Sequence, residues 1–153
     1  MIDNWKRRCT TAGFTIPELA VTIAVIAILA SLTIPFILAA SSALTASRGA
    51  REIQAALIQA RTLALSTRQN ICFQPVAGGF SFLQGSCAGA AWVGPNTDST
   101  GLFKPADNVA MSGGGAIFTQ FGTASTTAVI TVTVPSGSST TVTVQPSGRV
   151  TIP

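Results

Sequence analysis

The chain has 153 residues, which is enough for one membrane helix and one small domain. It contains no histidine and no tyrosine, so it lacks the commonest general base and the commonest metal ligand. The formal net charge is +4, and residues 1–13, with three basic residues against one acid, carry +2 of it, which leaves +2 for the remainder. A charge of that size does not by itself indicate binding to nucleic acid.

An uncharged apolar run dominates the N-terminal part of the sequence. A short basic leader carries Lys6, Arg7 and Arg8, and no charged residue occurs from Leu19 to Ser47. A membrane-crossing helix needs about 20 apolar residues at 1.5 Å each, and this run is long enough. The basic leader predicts that the N-terminus stays in the cytoplasm, by the positive-inside tendency.

The small residue Gly13 stands before the apolar run, whereas a secretory signal peptide has its cleavage site after the run. Cleavage after Gly13 would remove only the leader, residues 1–13, and would leave the apolar helix on a mature chain of residues 14–153. An uncleaved membrane anchor is the alternative, because hydropathy alone does not reveal a protease site.

The stretch Gly13–Leu19 resembles the processing site of type IV prepilins and pseudopilins. That family has a glycine before the cut, an aromatic residue after it and a glutamate fifth in the mature chain, where this sequence has Phe14 and Glu18. Pro35, the twenty-second mature residue, matches a proline common in the helix of the family. Pro17 replaces the usual aliphatic residue, but a helix tolerates proline in its first turn.

The resemblance implies how this segment works. A prepilin peptidase would cut after Gly13 and methylate the new amine of Phe14. The Glu18 carboxylate would cost roughly 2.5–3.5 kcal/mol in hydrocarbon, so it needs a partner, and it would neutralise the Phe14 amine of a neighbouring subunit during assembly. The alternative is that Glu18 only caps the start of its own helix, which is a favourable site for an anion.

The helix is expected to continue past the apolar run, from about residue 14 to residue 66. We assign residues 14–40 to the membrane and the filament core, and residues 41–68 to an amphipathic continuation. Pro35 should bend the helix, because it removes one backbone hydrogen bond and clashes with the preceding turn. Five apolar residues of the continuation share one helical face: Ile53, Ala56, Leu57, Ala60 and Ala64.

Residues 69–153 are predicted to form a small antiparallel β-sheet on which the helix packs, giving an α+β fold. Alternating valine and threonine residues indicate strands with one buried face. The segment 85–115 is rich in small and polar residues and is interpreted mostly as a loop, with Trp92 and Phe103 as anchors. The predicted strands span residues 70–74, 80–83, 116–121, 128–134, 140–145 and 149–152.

Three cysteines occur, of which Cys9 would leave with the leader. Cys72 and Cys87 remain in the part expected to be exported, where a cysteine pair usually forms a disulfide. Two buried free thiols are the alternative.

Three further segments resemble the GspH/FimT branch of minor pilins and pseudopilins: Ala60–Ala64, Phe118–Gly122 and Gly148–Val150. The resemblance implies a type IV pilin-like fold and a structural subunit, not an enzyme, that initiates or caps a type IV pilus or a type II secretion pseudopilus. It also implies a single-pass inner-membrane protein, with its C-terminal domain in the periplasm until assembly. Its partners would be the prepilin peptidase and other minor and major pilins or pseudopilins.

No catalytic residue, metal site or cofactor is expected from the sequence. Serines are abundant, but there is no histidine to activate them. Asp98 and Asp107 are the only side-chain carboxylates after Glu52, and two are too few for a calcium site.

A role in DNA uptake is the alternative function. Some FimT-like proteins bind DNA through a C-terminal Gly-Arg-X-Arg motif, and this sequence keeps the first arginine as Arg149 but has Thr151 in place of the second. One cation cannot supply the several phosphate contacts that give useful affinity. Arg149 is therefore either a possible DNA contact, joined in space by Arg68 or Lys104, or a solvated turn residue.

Overall fold

The computed structural model of the protein describes residues 13–106 and 108–153, and for residues 32–35 it describes the backbone alone. The chain divides into two compact units, one that extends to Leu38 and one that comprises Ala39–Pro153. The predicted leader lies outside the described residues, except for Gly13.

One long helix, α1, spans Ile16–Thr67 and has 52 residues. The carbonyl of Thr15 accepts its first hydrogen bond, from the Leu19 N–H at 3.1 Å. Pro17 therefore lies in the first turn, where the N–H that it lacks would have had no helical partner. The helix continues through Pro35, but the ring on which the predicted bend depends lies outside the described residues.

The part of α1 in the first unit is apolar on every side. Each side chain described in residues 13–31 and 36–38 is exposed. By length and composition α1 could cross a membrane, and the rest of the described chain does not bury its most apolar stretch. Removal of apolar surface from water is worth about 25 cal/mol per Å², so this part of the helix requires lipid or other helices around it.

The second unit has two antiparallel sheets where the sequence predicted one. The first sheet has the strand order β3-β2-β1-β5 and the second has the order β4-β6-β7-β8. The strands of the first sheet are β1 (Ile71–Val76), β2 (Gly79–Gln84), β3 (Leu102–Phe103) and β5 (Ala116–Phe118). The strands of the second sheet are β4 (Ala110–Gly113), β6 (Ala128–Thr133), β7 (Ser139–Val144) and β8 (Val150–Thr151).

The division into two sheets has a local cause. The strand predicted over residues 116–121 ends at Phe118, because the Gly122 N–H donates to the Thr119 carbonyl at 2.9 Å and closes a turn. After this turn the chain enters β6, which pairs with β4 and β7 instead of with the first sheet.

Strands β3 and β4 lie in the segment 85–115, which the sequence predicts to be mostly loop. They are short, and their strand conformation comes from pairing with distant strands: Phe103 lies opposite Phe80, and Ala110 lies opposite Thr133. Long-range pairing of this kind overrides weak local propensity. Phe103 is buried and Trp92 is partly buried against the core, as expected of anchors.

The five residues predicted to share one face of α1 are all buried. They belong to one hydrophobic core that also contains Phe73 and Phe82 of the first sheet and Val132 of the second. Gly49 allows α1 to approach the second sheet closely, since a Cβ at this position would lie 2.8 Å from Cγ1 of Val109. The α1 helix therefore serves both sheets as their common packing partner.

Polar contacts show the course of α1 across the second sheet. Ser42 and Ser138 hydroxyl oxygens are 3.0 Å apart, next to the turn between β6 and β7. Three turns later, the Gln54 amide donates to the Val150 carbonyl of β8 at 3.2 Å. The helix therefore runs from the turn between β6 and β7 towards β8.

Candidate functional site

The start of α1 carries the residues predicted for processing and assembly. Gly13 and Phe14 are exposed, and nothing lies within 4 Å of the position that a Cβ on Gly13 would take. Glu18 lies in the first helical turn and is exposed. Among the residues that the structure describes, no hydrogen bond or ion pair engages its carboxylate, so hydrogen-bonded capping of its own helix is not observed.

Cys72 and Cys87 form the predicted disulfide, with their Cα atoms 5.1 Å apart. The bond joins β1 to the loop after β2. Gly115 lies against it, because a Cβ at this position would be 3.0 Å from both sulfur atoms. The disulfide and this close approach hold the loop onto the first sheet.

The three segments that resemble the GspH/FimT branch meet around Arg61 of α1. Its Nη1 donates to the Gly148 carbonyl at 3.5 Å. Its Nε is buried, without a hydrogen-bond partner in the described part of the chain. A Cβ on Gly122 or on Gly148 would lie 3.2 Å from this Nε. We call this meeting point of Arg61, Gly122 and Gly148 the arginine corner.

Glycine is required at the arginine corner for two reasons. Gly122 and Gly148 have φ values of +77° and +78°, which L side chains rarely adopt. A Cβ on Gly148 would also collide with the carbonyl oxygen of Gly122. The sequence contains these residues as separate motifs, and only the folded chain shows that they are one contact.

Arg149 is exposed beside the arginine corner, and its backbone N–H donates to the Ser147 hydroxyl at 3.4 Å. Arg68 lies at the same end of α1, where it lines a groove with Leu65 and Phe121, next to Gly122. The structure thus brings Arg61 and Arg68 to the same end of the unit as Arg149.

Lys104 lies elsewhere, near Asp98. The Asp98 Oδ1 accepts hydrogen bonds from the Thr100 hydroxyl at 2.6 Å, the Thr100 N–H at 2.8 Å and the Leu102 N–H at 2.9 Å. These bonds, led by that from the Thr100 hydroxyl, hold the pKa of Asp98 below its ordinary value, with a smaller contribution from the Lys104 charge. Asp98 therefore stabilises a turn, and the described residues contain no metal-binding group of three His, Cys, Asp or Glu.

The family model of the type II transport protein GspH matches residues 49–148, a range that includes the disulfide and the arginine corner. The fold is similar to two crystal structures of the type IV minor pilin FimU from Pseudomonas aeruginosa strain PAO1. One has a TM-score of 0.52 and 22% identity, covering 71% of this chain and 87% of the FimU chain. The other has a TM-score of 0.50 and 19% identity, covering 70% and 91%. Among curated proteins, no significant match was found.

Alanine should lower the free energy of unfolding more at a glycine of the arginine corner than at a glycine with open space around it. Gly137 has φ +91° and open space around a Cβ, so Gly137→Ala should lower the free energy of unfolding by about 1–2 kcal/mol, the cost of left-handed backbone. Gly148→Ala adds the collision with Gly122 and should cost at least about 2 kcal/mol more. Urea unfolding of the full chain in detergent measures both, and equal losses would contradict the close approach.

Proposed function

Since the chain belongs to the GspH family of type II transport proteins, we propose that it initiates or caps a type IV pilus or a type II secretion pseudopilus. The family consists of pseudopilins and minor pilins, which are structural subunits and not enzymes. One observation carries the proposal: the apolar, uncharged run of α1 that follows Glu18 is exposed wherever its side chains are described, and the Glu18 carboxylate has no partner within the described chain.

The apolar part of α1 would anchor the subunit in the inner membrane by a single pass before assembly. The basic leader supports a cytoplasmic N-terminus, which leaves the second unit in the periplasm. The Cys72–Cys87 bond supports the same orientation, because disulfides persist mainly in oxidising compartments.

Prepilin peptidase would then cut after Gly13 and methylate the amine of Phe14. The exposure of both residues supports access by the enzyme. The new amine of Phe14 and the carboxylate of Glu18 would carry opposite charges at the start of α1. Pairing of Glu18 with the Phe14 amine of a neighbouring pilin or pseudopilin would remove the cost of burying either charge in the filament core.

Deletion of the gene tests the proposal directly. We expect the deletion strain to lose sheared surface pili or type II secretion, and the intact gene to restore the one that is lost. Immunoblots of the sheared fraction against the major pilin and of the medium for a secreted substrate measure the two outcomes. Normal levels of both would contradict an initiating or capping role.

Substitutions at the helix start separate processing from assembly. Gly13→Val should block cleavage, because a branched side chain replaces the residue before the cut, and the chain should keep the mobility of the precursor. Glu18→Ala should be cleaved normally but should be depleted at least about tenfold from sheared filaments, since loss of one buried charge partner costs several kcal/mol. A Glu18→Ala chain that enters filaments at the normal level would refute the pairing.

DNA binding in natural transformation is the second candidate function. It is favoured by the position of Arg149, which lies exposed at the same end of the unit as Arg61 and Arg68. Several cations at one end could make the multiple phosphate contacts that a single arginine cannot.

If this second function is correct, Arg149→Gln should weaken binding of a fluorescent DNA duplex by the full chain in detergent. The slope of log affinity against log salt concentration should also fall by about 1, because one phosphate contact is lost. Lys104→Gln is the control and should change neither quantity, since Lys104 lies near Asp98. Absent DNA binding, or equal effects of the two changes, would exclude a specific role for Arg149.

A further inference from the structure

Phe121 is exposed at the tip of the turn between β5 and β6. Its side chain is 76% exposed, although a buried aromatic ring makes a large contribution to stability. Aromatic residues, phenylalanine included, are enriched at protein–protein interfaces relative to the rest of the surface.

The turn that carries Phe121 is internally braced. The Thr119 N–H donates to the Thr123 carbonyl at 2.8 Å, and the two threonine hydroxyl oxygens are 2.7 Å apart. The Gly122 N–H closes the turn onto the Thr119 carbonyl, and Gly122 itself is packed against Arg61. The backbone of such a braced turn loses little conformational entropy when a partner binds.

Phe121 borders a groove of about 300 Å³ whose other lining residues are Leu65, Arg68 and Gln120. Leu65 is 47% exposed, so it extends the apolar surface of Phe121 along the end of α1. Arg68 provides the charge at the groove. A partner that fits this surface must therefore offer an apolar pocket with an acidic rim.

The position of the surface identifies the class of partner. Ala39 begins the second unit and lies next to residue 40, the predicted end of the membrane segment. Leu65 lies 26 residues further along α1, which is about 39 Å at 1.5 Å per residue and more than the full thickness of a hydrocarbon core. Lipid and the membrane-embedded helices of other subunits therefore do not reach it. Because members of this family assemble with other pilins, the remaining candidate is the soluble domain of another subunit.

A second copy of this chain is a poor match for the acidic rim. The described side-chain carboxylates of the second unit are Glu52 and Asp98, and both accept hydrogen bonds from the same chain. Glu52 accepts the Ala106 N–H at 3.2 Å and 3.3 Å through its two oxygens, and Asp98 holds its own turn. A subunit of different sequence supplies the complementary charge more readily.

We propose that Phe121 anchors this protein in an apolar pocket on the soluble domain of a different pilin-family subunit, with Arg68 pairing with a carboxylate at the rim of that pocket. This inference rests on the proposed assembly function and adds to it the surface and the kind of partner. It also defines a contact outside the bilayer, separate from the pairing of Glu18 with an amine.

A photo-crosslinking amino acid at position 121 of the full chain, expressed in its own organism, tests the inference. Illumination of assembled filaments should link position 121 to one pilin-family subunit of different sequence, identified by mass spectrometry. Arg68→Glu in the same chain should reduce this crosslink at least about tenfold by charge repulsion. A crosslinker at Val129, an exposed valine of β6, is the control and should not give this product.

Phe121→Ser provides the second measurement. The chain should keep its thermal midpoint and its processing, because the lost ring is exposed, but its level in sheared filaments should fall at least about tenfold. Val129→Ser is the matched control and should leave the level unchanged. A crosslink to a second copy or to lipid, or no crosslink from chains present in filaments, would overturn the inference.

The two proposals fail separately. If deletion of the gene abolishes filaments but Phe121→Ser restores them fully, the assembly function stands and the docking surface is wrong. If deletion leaves both pili and secretion unchanged, the assembly function is wrong whatever position 121 contacts.

Discussion

A single helix in this protein must satisfy two kinds of surroundings, and the rest of the structure depends on how it does so. In residues 16–31 and 36–38, α1 exposes its apolar side chains, which lipid or other helices can cover. From Ala46 to Ala64 it buries one narrow face of small and branched residues against two sheets. The same helix therefore supplies an apolar surface to the first unit and one packing face to the second.

The small residues on the buried face of α1 determine how closely the two sheets approach the helix. Ala50, Ala60 and Ala64 are fully buried, and Gly49 leaves no space for a side chain beside Val109. The large side chains of the core come instead from the sheets, above all the phenylalanine residues of the first sheet. The rings of Phe80 and Phe103 are stacked, with their centroids 5.1 Å apart. A thin helix face against bulky sheet faces gives a dense core in a domain of modest size.

Local pattern was sufficient to predict the helix, its buried face and the paired valine-rich strands, because each depends on periodicity within a short segment. It was also sufficient for the disulfide, because Cys72 and Cys87 are the two cysteines outside the predicted leader. It failed for β3 and β4, whose strand conformation depends on partners elsewhere in the chain. The arginine corner joins residues 87 positions apart, so no local pattern reveals it. Local pattern does not predict the exposure of Phe121, because an aromatic residue in a strand-like segment indicates burial, whereas the turn at Thr119–Gly122 directs it outward.

The oxidation state of Cys72 and Cys87 depends on the compartment in which this part of the chain lies. Cytosolic thiols are usually kept reduced, so under the proposed topology the Cys72–Cys87 bond would form after this part of the chain has left the cytoplasm. Under the same topology, the apolar helix would not need to leave the bilayer for the bond to form. If the proposed topology is correct, the ratio of oxidised to reduced chains in a cell would report the fraction of molecules whose second unit has been translocated, whether or not a filament has taken them up.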